Sequence, residues 1–282
     1  MPTKHRLIPP YRRLHNGLAA VLLLLCMPIS AAPLTIAAAA DLRFALDALI
    51  DAYRLDHPQQ RIDPVYGSSG MLYTQIQQGA PFDLYFSADS RYPRQLAELG
   101  LAASAVLPYA CGRLVLWRAG TEQPAFTLDD LGGEAIGRLA IANPEHAPYG
   151  QRAVEVLQSL GQYERLRPRL VIGENIAQAA QFAQSGAVDA GIIALSLALA
   201  PSFQSSGQYT IIPAKLHQPL EQGFIITRQA ADPAAARAFA AYLQTPAARA
   251  IFQRFGFELP QAHAESSNTT SASTPSPSVC AE

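Results

Sequence analysis

Two hydrophobic rhythms alternate along the chain. Leu34-Thr-Ile-Ala-Ala-Ala-Ala40 is a short apolar run with β-formers at its start, which predicts a buried strand. Phe44, Leu46, Leu49, Ile50 and Tyr53 then recur at helical spacing and predict a helix over 42–55. Asp41 is a fair N-cap for it, and His57-Pro58 ends it. The pattern repeats at once. Residues 61–66 predict a strand, Gly67-Ser-Ser-Gly70 a turn, and 71–78 a helix closed by Gly79-Ala-Pro81. A short strand over 83–87 follows, and Asp89 is placed to cap a helix over 92–99.

The second half keeps the same logic. Strands are predicted at 111–117 and 139–143, with a short helix from Thr127 to Leu131 between them. Pro144-Glu-His-Ala-Pro-Tyr-Gly150 then turns into a helix over 151–160. Further strands are expected at 170–172, before Ala194, at 209–212 and at 223–227, with helices over 177–185, 233–243 and 247–255. Strand, turn and helix in repeated order define an α/β fold with a second α/β unit in the later half. In open sheets of this kind a ligand lies at the carboxyl ends of the parallel strands.

The Gly67–Gly70 turn leads a strand into a helix N-terminus. First-turn N–H groups lack partners and the helix dipole favours negative charge, so such a turn can hold an anion. Ser68 and Ser69 can equally be ordinary capping residues. Tyr149, at the mouth of the helix over 151–160, can send its hydroxyl to a ligand or simply be half-buried. Asp83 could ligate a metal or act as a catalytic carboxylate; a lone aspartate at a strand start more often satisfies backbone donors. No Walker loop, dinucleotide G-x-G-x-x-G or G-x-S-x-G elbow is present, and the histidines do not cluster.

Composition narrows the class. The chain has 282 residues, 49% apolar and only 15% charged. Lys4, Arg6, Arg12 and Arg13 precede an apolar run from Leu18 to Met27 and then Pro28-Ile-Ser-Ala-Ala-Pro33. That is the pattern of a secretory signal peptide over residues 1–32, cleaved after Ala31 or Ala32. Removing its four basic residues from the total of 21 leaves 17 Lys and Arg against 22 Asp and Glu, a charge of −5. Such an acidic exported chain is no nucleic-acid binder. Of the three cysteines, Cys26 would leave with the signal. Cys111 reads as a small buried residue and Cys280 as part of a disordered tail over 261–282, free to pair between chains. No bridge between Cys111 and Cys280 is expected, and no metal-binding spacing occurs.

Several ordered segments together resemble the periplasmic molybdate-binding proteins of ABC importers over about residues 33–260. They are Ala37–Leu42, Gly67–Gly70, Gln75–Asp89, Gly112–Trp117, Ala142–Gly150, Gly173–Ile176 and Ala248–Phe257. The resemblance implies two Rossmann-like lobes of the type II periplasmic-binding-protein class, closing over a ligand by hinge motion. Lobe 1 is expected at 33–108 plus 215–260, and lobe 2 at 109–214. The implied protein is no enzyme and carries no cofactor. It binds molybdate or tungstate in the periplasm, as a monomer, and delivers it to a membrane permease. Molybdenum is held as its oxyanion, with no direct metal ligand. The family's positions fall on Ser69, its neighbour Ser68, Asp41, Tyr149 and Ile176.

Two departures from the family stand out. Ala40-Asp41 replaces the serine or Thr-Asn pair of many members, so Asp41 is expected to cap the first helix or face away while a backbone N–H makes the contact. Ala194 stands where some members carry a tyrosine, and the Tyr149 hydroxyl could compensate. Arg43 and Arg113, near these segments, are expected to be structural or solvent-facing. The alternatives are the same fold holding sulfate, phosphate or chromate, a non-transport oxyanion sensor, and an enzyme built on His146 and Asp41.

Overall fold

The computed structural model describes residues 33–260 and Cys280. The signal-peptide and tail expectations fall outside these residues. The first sheet begins with β1 (Leu34–Ala39), a short 3-10 turn (Ala40–Leu42) and α1 (Arg43–Asp56). Next come β2 (Ile62–Gly67), α2 (Ser69–Gln77), β3 (Leu84–Ser87), α3 (Arg91–Glu98) and β4 (Leu107–Gly112). The second sheet takes over with β5 (Leu114–Ala119), β6 (Leu139–Ala142), α4 (Pro148–Ser159), α5 (Tyr163–Leu166) and β7 (Leu170–Gly173). It continues through α6 (Ile176–Gln184), β8 (Ala190–Ala194), α7 (Leu195–Ala198), α8 (Pro201–Gln204) and β9 (Gly207–Ile211). The chain then returns to the first sheet with β10 (Leu220–Ile226), α9 (Pro233–Tyr242) and α10 (Pro246–Arg254).

The strand orders are β2-β1-β3-β10-β4 and β7-β6-β8-β5-β9. In each sheet the first three strands run parallel and the fourth is antiparallel to both its neighbours. The two antiparallel strands, β10 and β5, each follow directly on a crossing between sheets. The single strand expected over 111–117 is two strands. Arg113 separates them, and the chain changes sheet there, so the first crossing falls about five residues later than the sequence placed it.

Strand alternation explains why β1 is apolar throughout. Ile36 and Ala38 pack on one face with Leu46, Leu49, Phe239 and Phe252 of α1, α9 and α10. Ala37 points to the other face, with Leu72, Ile76 and Leu96 of α2 and α3. A strand covered on both sides has no polar face to show. The second lobe has its own core around Trp117, Ile141, Val156 and Ile192, and Ala39, Ala40 and Ala88 of the first lobe pack into it. The two lobes are therefore closed on one another. Asp83 satisfies backbone donors: its carboxylate accepts from Thr35 N–H at 2.6 Å and Ala231 N–H at 2.6 Å.

The Cys111–Cys280 expectation is overturned. The two form a disulfide. The cause lies in the course of the chain end. Cys111 and Glu258 exchange two backbone hydrogen bonds, 2.7 and 3.1 Å, so the segment leading to the tail leaves the body beside Cys111. A tail with nothing to bury can still be held by a covalent bond, which oxidising compartments favour.

Candidate functional site

The carboxyl ends of the parallel strands of both sheets meet at one small cavity. Ala39-Ala40-Asp41 stand at the end of β1, Gly67-Ser68-Ser69 at the end of β2, and Ala88 just after β3; Ala147-Pro148-Tyr149 and Ile176 face them from the second lobe. All five sequence-predicted residues line this space. It contains no lysine or arginine, so any field favouring an anion comes from hydroxyls and helix N-termini.

Ser68 occupies the N-cap position of α2, yet its side chain makes no capping bond. Its hydroxyl lies 2.7 Å from Nδ1 of His146, across the cleft. Ser69 is oriented differently. Its Oγ accepts the N–H of Ala88 at 3.0 Å, and its carbonyl accepts the hydroxyl of Tyr85 at 2.8 Å. An oxygen that already accepts keeps its own proton to donate. Gly70 N–H donates to the carbonyl of His146 at 2.9 Å. A Cβ at Gly70 would stand 2.8 Å from that carbonyl, so only glycine permits this approach.

In the second lobe, Pro148 starts α4 at a position where a missing N–H costs nothing, which carries the helix start back from the predicted 151. Asn175 caps α6 by accepting from Ala177 and Gln178 at 3.0 and 3.1 Å. That cap does not take the N–H of Ile176, the helix's first residue, which borders the cavity.

Asp41 neither caps α1 nor faces away. It sits inside the 3-10 turn, 1% exposed, and no side-chain capping bond precedes α1. Its Oδ2 accepts from Nε2 of Gln222 at 2.7 Å and from the Tyr149 hydroxyl at 3.0 Å. The Tyr149 hydroxyl, expected to donate to a ligand and to stand in at Ala194, donates to Asp41 in this structure. Tyr109 donates to Oε1 of Gln222 at 2.5 Å, and Ser196 donates to the Asp41 carbonyl at 2.7 Å. Oδ1 of Asp41 is buried and makes no hydrogen bond of ordinary geometry. Burial raises the Asp41 pKa to about 6; bonds from Gln222 and Tyr149 and the nearby N–H groups of Asp41 and Leu42 offset part of the rise. Burial also pushes the Tyr149 and Tyr109 hydroxyls well above their ordinary range.

Sequence reasoning missed Gln222, Tyr109 and Ser196. The one available signal was Gln222, a polar residue just ahead of the apolar run Gly223–Ile226; β10 begins three residues before the predicted strand and takes Gln222 fully inside. Arg43 stands over the Tyr66 ring at 5.9 Å and Arg113 pairs with Glu258 at 3.2 Å, so both are structural. The lobes also meet through Arg152 with Asp89 at 3.7 Å and Arg91 with Gln151 at 3.3 Å.

Two five-stranded lobes closed over a small cavity at their strand ends define a solute-binding protein. Residues 34–258 match the family model of the bacterial extracellular solute-binding proteins. The chain is 36% identical to the molybdate-binding protein ModA of Rhodobacter capsulatus over 249 residues, 86% of this chain and 96% of that one. It is 35% identical to ModA of Azotobacter vinelandii over 241 residues, 84% and 94% of the two chains. The solved periplasmic molybdate-binding protein of Azotobacter vinelandii superposes with a TM-score of 0.77 at 32% identity, covering 81% of this chain and all of that one. The chain belongs to the bacterial extracellular solute-binding proteins, within the family of the molybdate-binding proteins. No helix among the described residues is long and apolar enough to cross a membrane.

Proposed function

We propose that the protein captures molybdate, and tungstate with it, in the periplasm and presents it as a monomer to an ABC permease. The observation that carries this reading is the convergence of Ser69, Ser68, Ile176 and the Ala147–Tyr149 turn on one cavity at the strand ends of both lobes. The relatives are molybdate-binding proteins and not enzymes, which supports a binding role here.

The chemistry is recognition by donors. A tetrahedral dianion needs hydrogen bonds to its four oxygens. The Ser69 hydroxyl and first-turn N–H groups of α2, α4 and α6 supply them without a fixed cation. Bonds to a charged group are worth about 1.5–3 kcal/mol each, so several together offset the cost of dehydrating the anion. Size selects among anions, since a smaller sulfate would stretch every bond in a cage set for molybdate.

Calorimetric titration of the ligand-free mature protein tests this. Tight one-to-one binding of molybdate and tungstate, with sulfate and phosphate much weaker, is expected. No heat from molybdate at any pH overturns it.

A further inference from the structure

Asp41 is the one feature of the cavity that opposes anion binding. It lies in the cavity wall, from the turn after β1, and no lysine or arginine lines that wall beside it. A dianion brought next to an ionised carboxylate would place three negative charges together in a largely dehydrated space, where they repel strongly.

The surroundings do not neutralise the carboxylate. From α4 it meets the Tyr149 hydroxyl, from β10 the amide of Gln222, and behind Gln222 stands Tyr109 of β4. From α7 Ser196 takes only the Asp41 carbonyl. Nearby cations are engaged elsewhere: Arg43 with the Tyr66 ring, Arg113 with Glu258, and Arg152 with Asp89 and Glu155. Neither tyrosine gives up its proton near neutrality: Tyr149 donates to Oδ2 while accepting from Gln222 Nε2, and Tyr109 donates to Oε1 of Gln222. Oδ1, the other oxygen of the same carboxyl, is buried and makes no hydrogen bond of ordinary geometry, with the N–H groups of Asp41 and Leu42 near the carboxyl.

We propose that Asp41 makes anion capture proton-linked: the closed cleft takes a tetrahedral dianion together with one proton, shared between the Asp41 carboxyl and the anion. The proton comes from solvent and no covalent bond to the anion's central atom changes. On Asp41 it removes the carboxylate's charge. On the anion it gives the carboxylate a donor to accept from. Either placement leaves two negative charges in the cavity instead of three. The direction of the Asp41 pKa agrees, since burial already favours its neutral form and a bound dianion favours it further. Asp41 is therefore the residue that sets the pH range of binding. The inference rests on the oxyanion reading above.

The test is titration of the mature protein with micromolar molybdate from pH 6.5 to 8.5, in pairs of buffers with different ionisation heats. Uptake approaching one proton per anion is expected at the alkaline end, with affinity falling up to tenfold per pH unit as linkage requires. Asp41→Asn should abolish both the uptake and the slope and bind more tightly than the parent at pH 8.5. His146→Gln, beside the lining residue Ala147, should keep the uptake and the slope whatever its effect on affinity. Molybdate binding that is flat with pH and takes up no proton overturns the inference while leaving the oxyanion reading standing. Uptake lost in His146→Gln and retained in Asp41→Asn overturns it too. No molybdate binding at any pH overturns both. The proton count on the unaltered protein decides the matter even if Asp41→Asn fails to fold.

Discussion

The hydroxyl of Ser68 lies 2.7 Å from Nδ1 of His146, and the two residues belong to opposite lobes. Two residues on, Gly70 N–H donates to the carbonyl of the same histidine. The start of α2 and the turn before α4 are thus fastened side chain to side chain and backbone to backbone. The closed cleft is specified by this pair of contacts on one side and by Tyr149 and Asp41 on the other.

Gly70→Ala tests the backbone contact. The added methyl would meet the His146 carbonyl at 2.8 Å across the closed cleft, and the Tyr92 hydroxyl of α3 in its own lobe at 2.9 Å. Within a helix alanine is favoured over glycine by about 1 kcal/mol, which offsets part of any local strain. The expected result is oxyanion affinity lower by about tenfold or more, the equivalent of one lost hydrogen bond to a buried group. Calorimetry measures it, and thermal melting of the ligand-free protein checks that the fold survives. Unchanged affinity would mean that the lobes bind without this approach.

Ser69→Ala should weaken molybdate binding by roughly tenfold or more, because it deletes a donor to a charged group. Ser68→Ala should cost less, since the Ser68 hydroxyl is held by His146 in the closed form. A larger loss at Ser68 than at Ser69 would reverse the assignment of the two serines.

Local patterns made the skeleton of the site readable. Strand and helix periodicity located β1, α1, β2, β3 and α2 to within a residue or two, because each is covered by neighbours that demand a regular apolar face. The convergence of Ser69 and Ile176 followed from strand ends, with the resemblance supplying the second lobe's part. What stayed hidden is tertiary. The bonds of Tyr149, Gln222 and Tyr109 to one another depend on where two lobes and a returning strand meet, separations of 73 to 113 residues that no local rhythm records. The break at Arg113 was hidden for a related reason: Cys111 and Leu114 both read as buried strand residues, and a lone arginine within a seven-residue strand pattern does not say that the chain changes sheet there. The disulfide was missed because the polar tail was judged by what it could bury rather than by where it leaves the body.

The disulfide carries its own prediction. It spans 169 residues of sequence, and cross-links closing long loops typically stabilise by about 2–4 kcal/mol. Cys280→Ser, or removal of residues 263–282, should lower unfolding stability by that order in urea titrations while leaving oxyanion affinity intact, because Cys111 does not border the anion cavity. Thiol titration of the denatured mature protein should find neither cysteine reactive before reduction. Two reactive thiols, or a loss of affinity matching the loss of stability, would contradict this account.

The buried carboxyl of Asp41 should also mark the stability of the ligand-free protein. Its folded pKa is raised, from 3.8 to about 6, so the folded state holds the proton over a range where the unfolded state has released it. The contribution is fully present below the unfolded value and is lost as pH rises through the folded one. About two pKa units at 1.36 kcal/mol each come to about 3 kcal/mol lost by pH 7, as an order of magnitude. Asparagine has the same shape, cannot ionise, and still offers Gln222 and Tyr149 an oxygen. Asp41→Asn should therefore raise the melting temperature at pH 7.5 and lose that advantage progressively towards pH 4, where the native carboxyl is itself neutral. Scanning calorimetry across that range measures the difference. An Asp41→Asn protein that is less stable than its parent at pH 7.5, or equally displaced at every pH, would show that the native carboxylate is held ionised by its neighbours.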